Sequence, residues 1–303
     1  MKNIAVMISG HPKGFDLIHQ YFEHWNTLYE DVNFDFFISV WENDYDTSIF
    51  DWSAKYEFLK ESECPYDLSN HESLAHQPHY CYALHRVNEL RNSYNKKYDS
   101  VIQTRADAIF SRSLLDILIG KLTNIRGGLI PEKDNQGNFT GKSIEDTRPD
   151  PQISDKNILS ANGSMIHNSF NPEKKLLIQN LWTQDVWFMG TPKVMDVFCN
   201  MFEYIFIEKK FKELLMLHIF QAEYLNQMGI YNTPTQCGNS FTFVREKNRF
   251  NFDHRGGGYP LDYPSPDQLK RLIVDKGLDW IYDNDDSVQR WKQVQDYFRE
   301  TEK

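Results

Sequence analysis

An arginine and an aspartate two residues apart, Arg105 and Asp107, end an apolar segment of the chain. Residues two apart in an extended chain project to the same side, so both side chains would lie where a strand leaves its sheet. In open α/β sheets, ligands bind outside the carboxyl ends of the strands. There a carboxylate can hold a divalent cation that clamps a diphosphate, and a guanidinium can pair with phosphate oxygens. The alternative interpretation is a structural ion pair at the strand end.

A second group of candidate binding residues follows the first apolar segment. Ser9, Gly10, His11 and Lys13 lie in a turn in which small residues would let backbone N–H groups approach a ligand. The Lys13 ammonium could meet a phosphate near the start of the following helix. The segment is neither a GxGxxG nor a Walker sequence, which argues against dinucleotide redox chemistry and against ATPase chemistry. The alternative is a plain strand-to-helix turn with a solvated lysine.

The elements that would position these residues are those of an α/β protein. Residues 3–9 are apolar at nearly every position and predict a strand buried on both faces. Residues 15–25 carry large apolar side chains at helical spacing, and residues 34–41 read FDFFISVW, a second strand. This order is typical of a βαβ unit with a parallel sheet.

The rest of the chain alternates helix and strand signals. The patterns predict loops with short helices over 44–76, a helix over 80–97, a core strand over 98–110, a helix over 114–122, a short strand over 128–131, a long loop over 132–169, a strand over 186–189, helices to residue 228 that begin at the N-cap Thr191, a strand over 241–244 and a helix near the carboxyl terminus.

Composition bounds the function classes. The 303 residues carry a net charge of −10, so the long-range field repels nucleic acid and anionic membranes. The four cysteines never form a CxxC pair, which indicates reduced, scattered thiols. The amino-terminal apolar run is too short for a signal peptide, and no segment approaches the ~20 apolar residues that span a bilayer. We therefore expect a cytoplasmic protein with no nucleic-acid partner and no transmembrane segment.

The run YDSVIQTRADAIF at 98–110 resembles the "YDxVIRxRxDxxF" segment of small bacterial and viral glycosyltransferases with a GT-A-like fold, in which Arg-x-Asp replaces the usual DxD motif. IAVMISGHPKGF is similar to the first strand and nucleotide-binding loop of that group, and FDFFISVW to its second strand. TQDVWFMGTPKVMDVF and AEYLNQMGI resemble later segments in the same order. Two departures are that Lys13 stands where the family has arginine and that the motif keeps a single carboxylate.

The resemblance implies a fold, a domain organisation and a set of site residues. The fold would be a GT-A-like, Rossmann-type mixed sheet flanked by helices, with a catalytic domain over 1–260 and a C-terminal helical appendage over 261–303. Ser9, Gly10, His11, Lys13, Arg105 and Asp107 would bind the nucleotide-sugar, Asp107 and His254 would hold Mn²⁺ or Mg²⁺, and Asp185 and Glu223 would be catalytic. Asp185 would serve as general base or would position the acceptor hydroxyl. It could equally be a turn or N-cap aspartate.

The expected activity is therefore transfer of a sugar from a nucleoside-diphosphate sugar to a glycan or lipid-linked acceptor, in the synthesis of a polysaccharide, a lipopolysaccharide or a glycoprotein glycan. The single motif carboxylate motivates an alternative, a catalytically idle member of the same fold that binds carbohydrate or takes part in an assembly. A nucleotidyltransferase is a third possibility. It is disfavoured because IAVMISGHPKGF has few of the glycines that a triphosphate loop uses.

Overall fold

The protein is described by a computed structural model, which covers residues 1–12, 15–42, 46–66, 76–110, 112–121, 129–134, 136, 139–145, 153–160, 165–171, 176–182, 186–210, 217–234, 241–243 and 274. The expected C-terminal appendage over 261–303 lies outside these residues, apart from residue 274.

The described chain alternates strands and helices. The strands are β1 (Lys2–Gly10), β2 (Val32–Trp41), β3 (Lys55–Leu59), β4 (Ser100–Arg105), β5 (Ala108–Phe110), β6 (Leu129–Lys133), β7 (Phe139–Glu145), β8 (Asn157–Ser160), β9 (Met165–Asn171), β10 (Leu176–Trp182), β11 (Trp187–Gly190), β12 (Tyr231–Pro234) and β13 (Phe241–Phe243). The α-helices are α1 (Phe15–Glu23), α2 (Trp25–Leu28), α3 (His76–Asn92), α4 (Arg112–Leu118), α5 (Pro192–Cys199) and α6 (Leu217–Gln227). Short 3₁₀ turns cover Thr47–Phe50 and Glu61–Glu63, and a π-helical turn covers Glu203–Ile207.

Seven strands form one mixed sheet in the order β12-β8-β11-β4-β1-β2-β3. Strand β11 runs antiparallel to both of its neighbours, β4 and β8, and every other pairing in this sheet is parallel. Three two-stranded pairs accompany it, β9 with β10, β5 with β13 and β6 with β7. The fold class predicted from the sequence, an α/β protein with a mixed sheet flanked by helices, is confirmed.

Helices cover both faces of the sheet. Alternate residues of β1 point to opposite faces, and every residue from Ile4 to Ile8 is fully buried. Ile4, Val6 and Ile8 join a core with residues of α1, α2 and α4, which we call the α1 face. Ala5 and Met7 join a second core with residues of α3, α5 and α6, the α3 face. This double burial explains why the first strand reads as a continuous apolar run.

Several elements differ from the sequence-based predictions. The predicted strand over 98–110 is two strands, since a turn at Ala106 and Asp107 separates β4 from β5. The predicted loop over 44–76 contains β3, and the predicted loop over 132–169 contains β7, β8 and the first part of β9. Those predictions were wrong because 44–76 is polar and weakly patterned, and because the Gly, Asn and Asp residues of 132–169 favour turns locally. Backbone pairing with a neighbouring strand, as in the β6–β7 hairpin, overrides that preference.

No helix in the described part of the chain combines the length and the apolar character that a membrane span requires.

The start of α5 confirms the predicted cap. The hydroxyl of Thr191 accepts a hydrogen bond from the Val194 N–H at 3.3 Å, and Pro192 occupies the first helical turn. Thr191→Ala is expected to lower the free energy of unfolding by about 1 kcal/mol, because that N–H loses its acceptor. Urea denaturation measures the change. Thr191→Ser, which keeps the hydroxyl, is the control, and an equal loss in both variants would contradict the capping role.

Candidate functional site

The two candidate segments meet at the centre of the sheet. From β1 the chain continues to β2 and β3 on one side, whereas β4 pairs with β1 on the other side. The order of strands therefore reverses between β1 and β4, and in open α/β sheets ligands bind outside the carboxyl ends at such a point. Ser9 is the register partner of Arg105. Gly10, which follows, has φ +112°, a left-handed conformation that side-chain-bearing residues rarely adopt.

Arg105 and Asp107 form a bidentate ion pair. The Arg105 Nε and Nη2 atoms donate to the two carboxylate oxygens of Asp107, each at 2.9 Å. The pair spans the turn between β4 and β5, so the side chains meet through the turn and not by the alternation of one extended strand. The structural ion pair that the spacing left open is therefore present. Two N–H donors on one carboxylate fix the guanidinium plane, which a single contact would leave free to rotate.

The cation is the exposed member of this pair. The Arg105 side chain is 24% exposed and the Asp107 side chain 6% exposed, so the surface of the site presents the guanidinium. Arg105 lies on the α3 face by the alternation of β4, because Val101 belongs to that core. A positive group at the mouth of a crevice attracts an anion rather than a cation.

Two buried polar side chains, Gln103 and Ser9, adjoin the ion pair. Gln103 was not among the candidate residues predicted from the sequence. Gln103 is fully buried between its register partners Met7 and Phe188, and neither amide atom has a hydrogen-bond partner within the described residues. The hydroxyl of Ser9, 1% exposed, also lacks one there. The signal was available, because Gln103 and Arg105 are polar residues on the same side of β4 as the core residue Val101.

An aromatic group adjoins the crevice at the end of β2. The Trp41 ring contacts the imidazole of His79 with centroids 4.8 Å apart, and that of His11 at 6.4 Å. His79 Nε2 lies 3.1 Å from the Glu61 Oε1 atom. The Trp41 side chain is almost fully buried. His11 is the exposed member of the group.

The amino terminus of α3 lies at this same edge. Its first turns bring His79 to Trp41 at the carboxyl end of β2, whereas Ser93, just past its end, accepts from Lys55 Nζ at the start of β3. The helix therefore runs antiparallel to the strands beneath it. Its partial positive charge, from the unpaired N–H groups of the first turn, is directed at the crevice and adds to the charge of Arg105.

Of the other predicted site residues, Glu223 alone lies within the described part of the chain. Lys13, Asp185 and His254 lie outside the described residues, although β11, which begins two residues after Asp185, starts beside Thr104 of β4. Glu223 is half-buried on α6, which packs against β12 at the far edge of the sheet. Of the predicted site residues that the structure describes, Ser9, Gly10, His11, Arg105 and Asp107 lie together and Glu223 lies apart.

The described residues do not fit a divalent metal at Asp107. Both oxygens of its carboxylate are hydrogen-bonded to Arg105, and the side chain is nearly buried. No group of three His, Cys, Asp or Glu side chains within the described segments has metal-binding geometry. Mg²⁺ and Mn²⁺ bind several oxygen ligands, and one carboxylate whose charge is already neutralised by a guanidinium does not supply such a ligand set. The Mn²⁺ or Mg²⁺ cofactor and its His254 ligand stay predictions.

Thiol chemistry is disfavoured at the described cysteines. Cys64, Cys81 and Cys199 are free, and burial raises the pKa of each thiol above its ordinary value. A raised pKa lowers the thiolate fraction at neutral pH, and the thiolate is the nucleophile. These residues are packing elements, as their scattered positions in the sequence indicated.

Comparisons with known proteins found matches among solved structures and none by sequence. No protein-family model matches the chain, and no curated protein matches it by sequence. Solved structures that match include the galactosyltransferase LgtC in complex with donor and acceptor sugar analogues, at 11% identity and a TM-score of 0.38, over 76% of this chain and 72% of that one. An active-site mutant of LgtC matches at 11% identity and a TM-score of 0.38, over 89% of this chain and 81% of that one.

Proposed function

We propose that the protein is a glycosyltransferase that moves one sugar from a nucleoside-diphosphate sugar to a glycan or lipid-linked acceptor. The observation that carries the proposal is the partly exposed, bidentately fixed guanidinium of Arg105 beside the Gly10 turn, at the reversal point of the sheet. A diphosphate is the ligand class that this arrangement suits, because it offers paired oxygens to a planar guanidinium and negative charge to the amino terminus of α3.

The site would catalyse the transfer by stabilising the negative charge that develops on the leaving diphosphate. In the transfer, an acceptor oxygen bonds to the anomeric carbon, the bond from that carbon to the diphosphate breaks, and the nucleoside diphosphate leaves with the electron pair. Negative charge grows on the leaving oxygens, and a guanidinium already fixed in place stabilises that charge without reorganisation. Asp107 acts through Arg105 as a positioning residue, since both of its oxygens hold the guanidinium.

The acceptor side of the proposal rests on the sequence. The acceptor hydroxyl must lose a proton, and a carboxylate is the expected base. Asp185 is the first candidate because the strand after it, β11, begins beside Thr104 at the same edge of the sheet. Glu223 is the second, on the helix next to the far edge strand β12. Lys13 would assist Arg105 on the diphosphate.

The proposal is tested by thermal unfolding of the protein with UDP, GDP, CDP and dTDP, each with and without Mn²⁺. At 100 times its dissociation constant, the correct nucleotide is expected to stabilise the protein by about 2.7 kcal/mol, and the melting temperature should rise with it. We expect the rise without metal, because Arg105 supplies the positive charge. A rise that needs Mn²⁺ would give that role to a cation, and no rise with any nucleotide would contradict the proposal.

A second candidate function is favoured by the engaged carboxylate of Asp107. A protein that keeps the fold and binds carbohydrate without transferring it would need no catalytic metal and would tolerate this ion pair. Donor hydrolysis separates the two candidates, because a slow release of free sugar from a nucleotide sugar requires a working site. Release by the protein, lost in Arg105→Gln, supports the transferase.

A further inference from the structure

A second crevice lies at the opposite end of β4 from Arg105, beside the start of the strand. It is a cavity of about 310 Å³ next to Pro192, the first residue of α5, between the end of α3 and the segment that enters β4. Its other lining residues are Arg91, Asn92, Tyr94, Lys96, Lys97 and Tyr98, and none of them is acidic. Such a volume is at the lower end of the range for small-ligand sites.

The cations of this cavity are held in a defined arrangement. Arg91, whose side chain is 2% exposed, donates to Asp196, and Lys96 pairs with Asp35 at 2.5 Å. Lys97 is exposed and makes no ion pair with any of the residues that the structure describes. Counting Lys55, whose Nζ lies over the Tyr94 ring, and Asp99, which directly follows Tyr98, four cations and three carboxylates leave a local excess of positive charge, in a chain whose net charge is −10. An excess of this sign favours an anionic ligand.

Two tyrosines give the cavity an aromatic wall. Tyr94 and Tyr98 are half-exposed, and both rings pack edge-on against Phe37, at centroid distances of 5.6 and 6.0 Å. The Tyr98 hydroxyl donates to Asp35 at 3.0 Å, which fixes its ring. Rigid aromatic rings with a polar edge suit a ligand with both apolar and polar faces, and a sugar ring has such C–H and hydroxyl faces.

The cavity is separate from the candidate donor site. Tyr98 precedes the start of β4 and Arg105 is its last residue. The two are seven residues apart in the chain, which corresponds to roughly 20 Å along an extended strand. A ligand held beside Tyr98 therefore does not touch the crevice at Arg105.

We propose that this cavity binds an anionic saccharide, a sugar unit that carries a carboxylate or a phosphate group. Lys97 meets the anionic group and the tyrosine rings hold the sugar. The choice of a saccharide rests on the proposed function, whereas the choice of an anion rests on the cavity alone. An acidic unit of a glycan, or a free sugar phosphate, would supply the shared chemistry.

The test is calorimetric titration of the whole protein with glucuronate, glucose 6-phosphate, glucose and inorganic phosphate. We expect at least one of the two anionic sugars to bind, and to bind more tightly than either glucose or inorganic phosphate. Lys97→Glu is expected to weaken that binding by about tenfold or more, since a charge-assisted contact becomes a repulsive one. Lys210→Glu, a charge reversal at another exposed lysine outside the cavity, should leave it unchanged.

The outcomes separate this inference from the proposed function. If glucuronate binds but none of UDP, GDP, CDP and dTDP raises the melting temperature, the proposed cavity site is supported and the proposed transferase activity is contradicted. A nucleotide response without binding of either anionic sugar overturns the cavity alone. If inorganic phosphate binds as tightly as the anionic sugars, the ligand is not specifically a saccharide. If Lys97→Glu binds the anionic sugar as tightly as the unaltered protein does, the ligand does not bind in this cavity.

Discussion

Arg105→Gln is expected to lower the rate of sugar transfer by about 100-fold or more, the size of effect seen when one fixed donor to a developing charge is removed. The glutamine amide keeps a donor near the diphosphate but loses the positive charge and the second parallel N–H. The measurement is the release of nucleoside diphosphate under saturating donor, followed as the turnover number kcat. Binding of the nucleotide, measured by thermal shift, should weaken in parallel.

A loss of stability must be kept apart from a loss of catalysis in this variant. Removing the guanidinium leaves the Asp107 carboxylate, 6% exposed, without its bidentate partner, and such a change destabilises the fold. The double variant Arg105→Gln with Asp107→Asn removes both charges, so its stability should recover while transfer stays slow. Recovery of transfer together with stability would show that Arg105 is only structural.

Arg86→Gln is the matched control. Arg86 on α3 also forms a bidentate pair, with Glu57 of β3, through Nη2 at 2.8 Å and Nε at 3.3 Å. It is partly exposed, as Arg105 is, but lies away from the β1–β4 reversal point. Its loss should lower stability and leave kcat within a few fold of the unaltered protein. Equal losses of transfer in Arg86→Gln and Arg105→Gln would contradict a specific role for Arg105.

The central strands were predictable because their burial leaves a mark on the sequence. A strand covered by helices on both faces must be apolar at successive positions, as residues 4–8 are, so its type and length can be read directly. The Thr191–Pro192 helix start was readable for a similar reason, since a cap depends on neighbours in the chain. Once β1 and β4 are recognised, their polar ends are the natural candidates for a site.

The parts that sequence reasoning missed depend on contacts between distant segments. Strand β3 is recognisable only through its pairing with β2, and the turn between β4 and β5 through the pairing of β5 with β13. The spacing of Arg105 and Asp107 allowed both a ligand site and an ion pair. Which of the two side chains faces solvent is decided by the packing around β4 and β5, and the more exposed guanidinium favours an anion over a cation.

Tyr21→Phe is expected to lower the free energy of unfolding by about 2–4 kcal/mol, because one hydroxyl satisfies two buried backbone groups. The Tyr21 hydroxyl accepts from the Phe110 N–H at 2.7 Å and donates to the Phe110 carbonyl at 2.8 Å. Tyr21 is 1% exposed, so water does not replace the lost oxygen without rearrangement of the core. Thermal unfolding should show a melting temperature lower by roughly 5–10 °C.

The same change should reach the candidate site. Phe110 ends β5, which begins directly after Asp107, so the hydroxyl of Tyr21 anchors the strand that follows the ion pair. Tyr56→Phe is the control, since its hydroxyl makes a long, exposed contact of 3.4 Å with Asp51, and its removal should cost less than about 0.5 kcal/mol. If Tyr21→Phe binds the nucleotide more weakly than the unaltered protein, at a temperature where the variant is fully folded, then packing on the α1 face contributes to the orientation of Arg105. An unaltered response, with unaltered stability, would mean that β5 is held by its pairing with β13 alone.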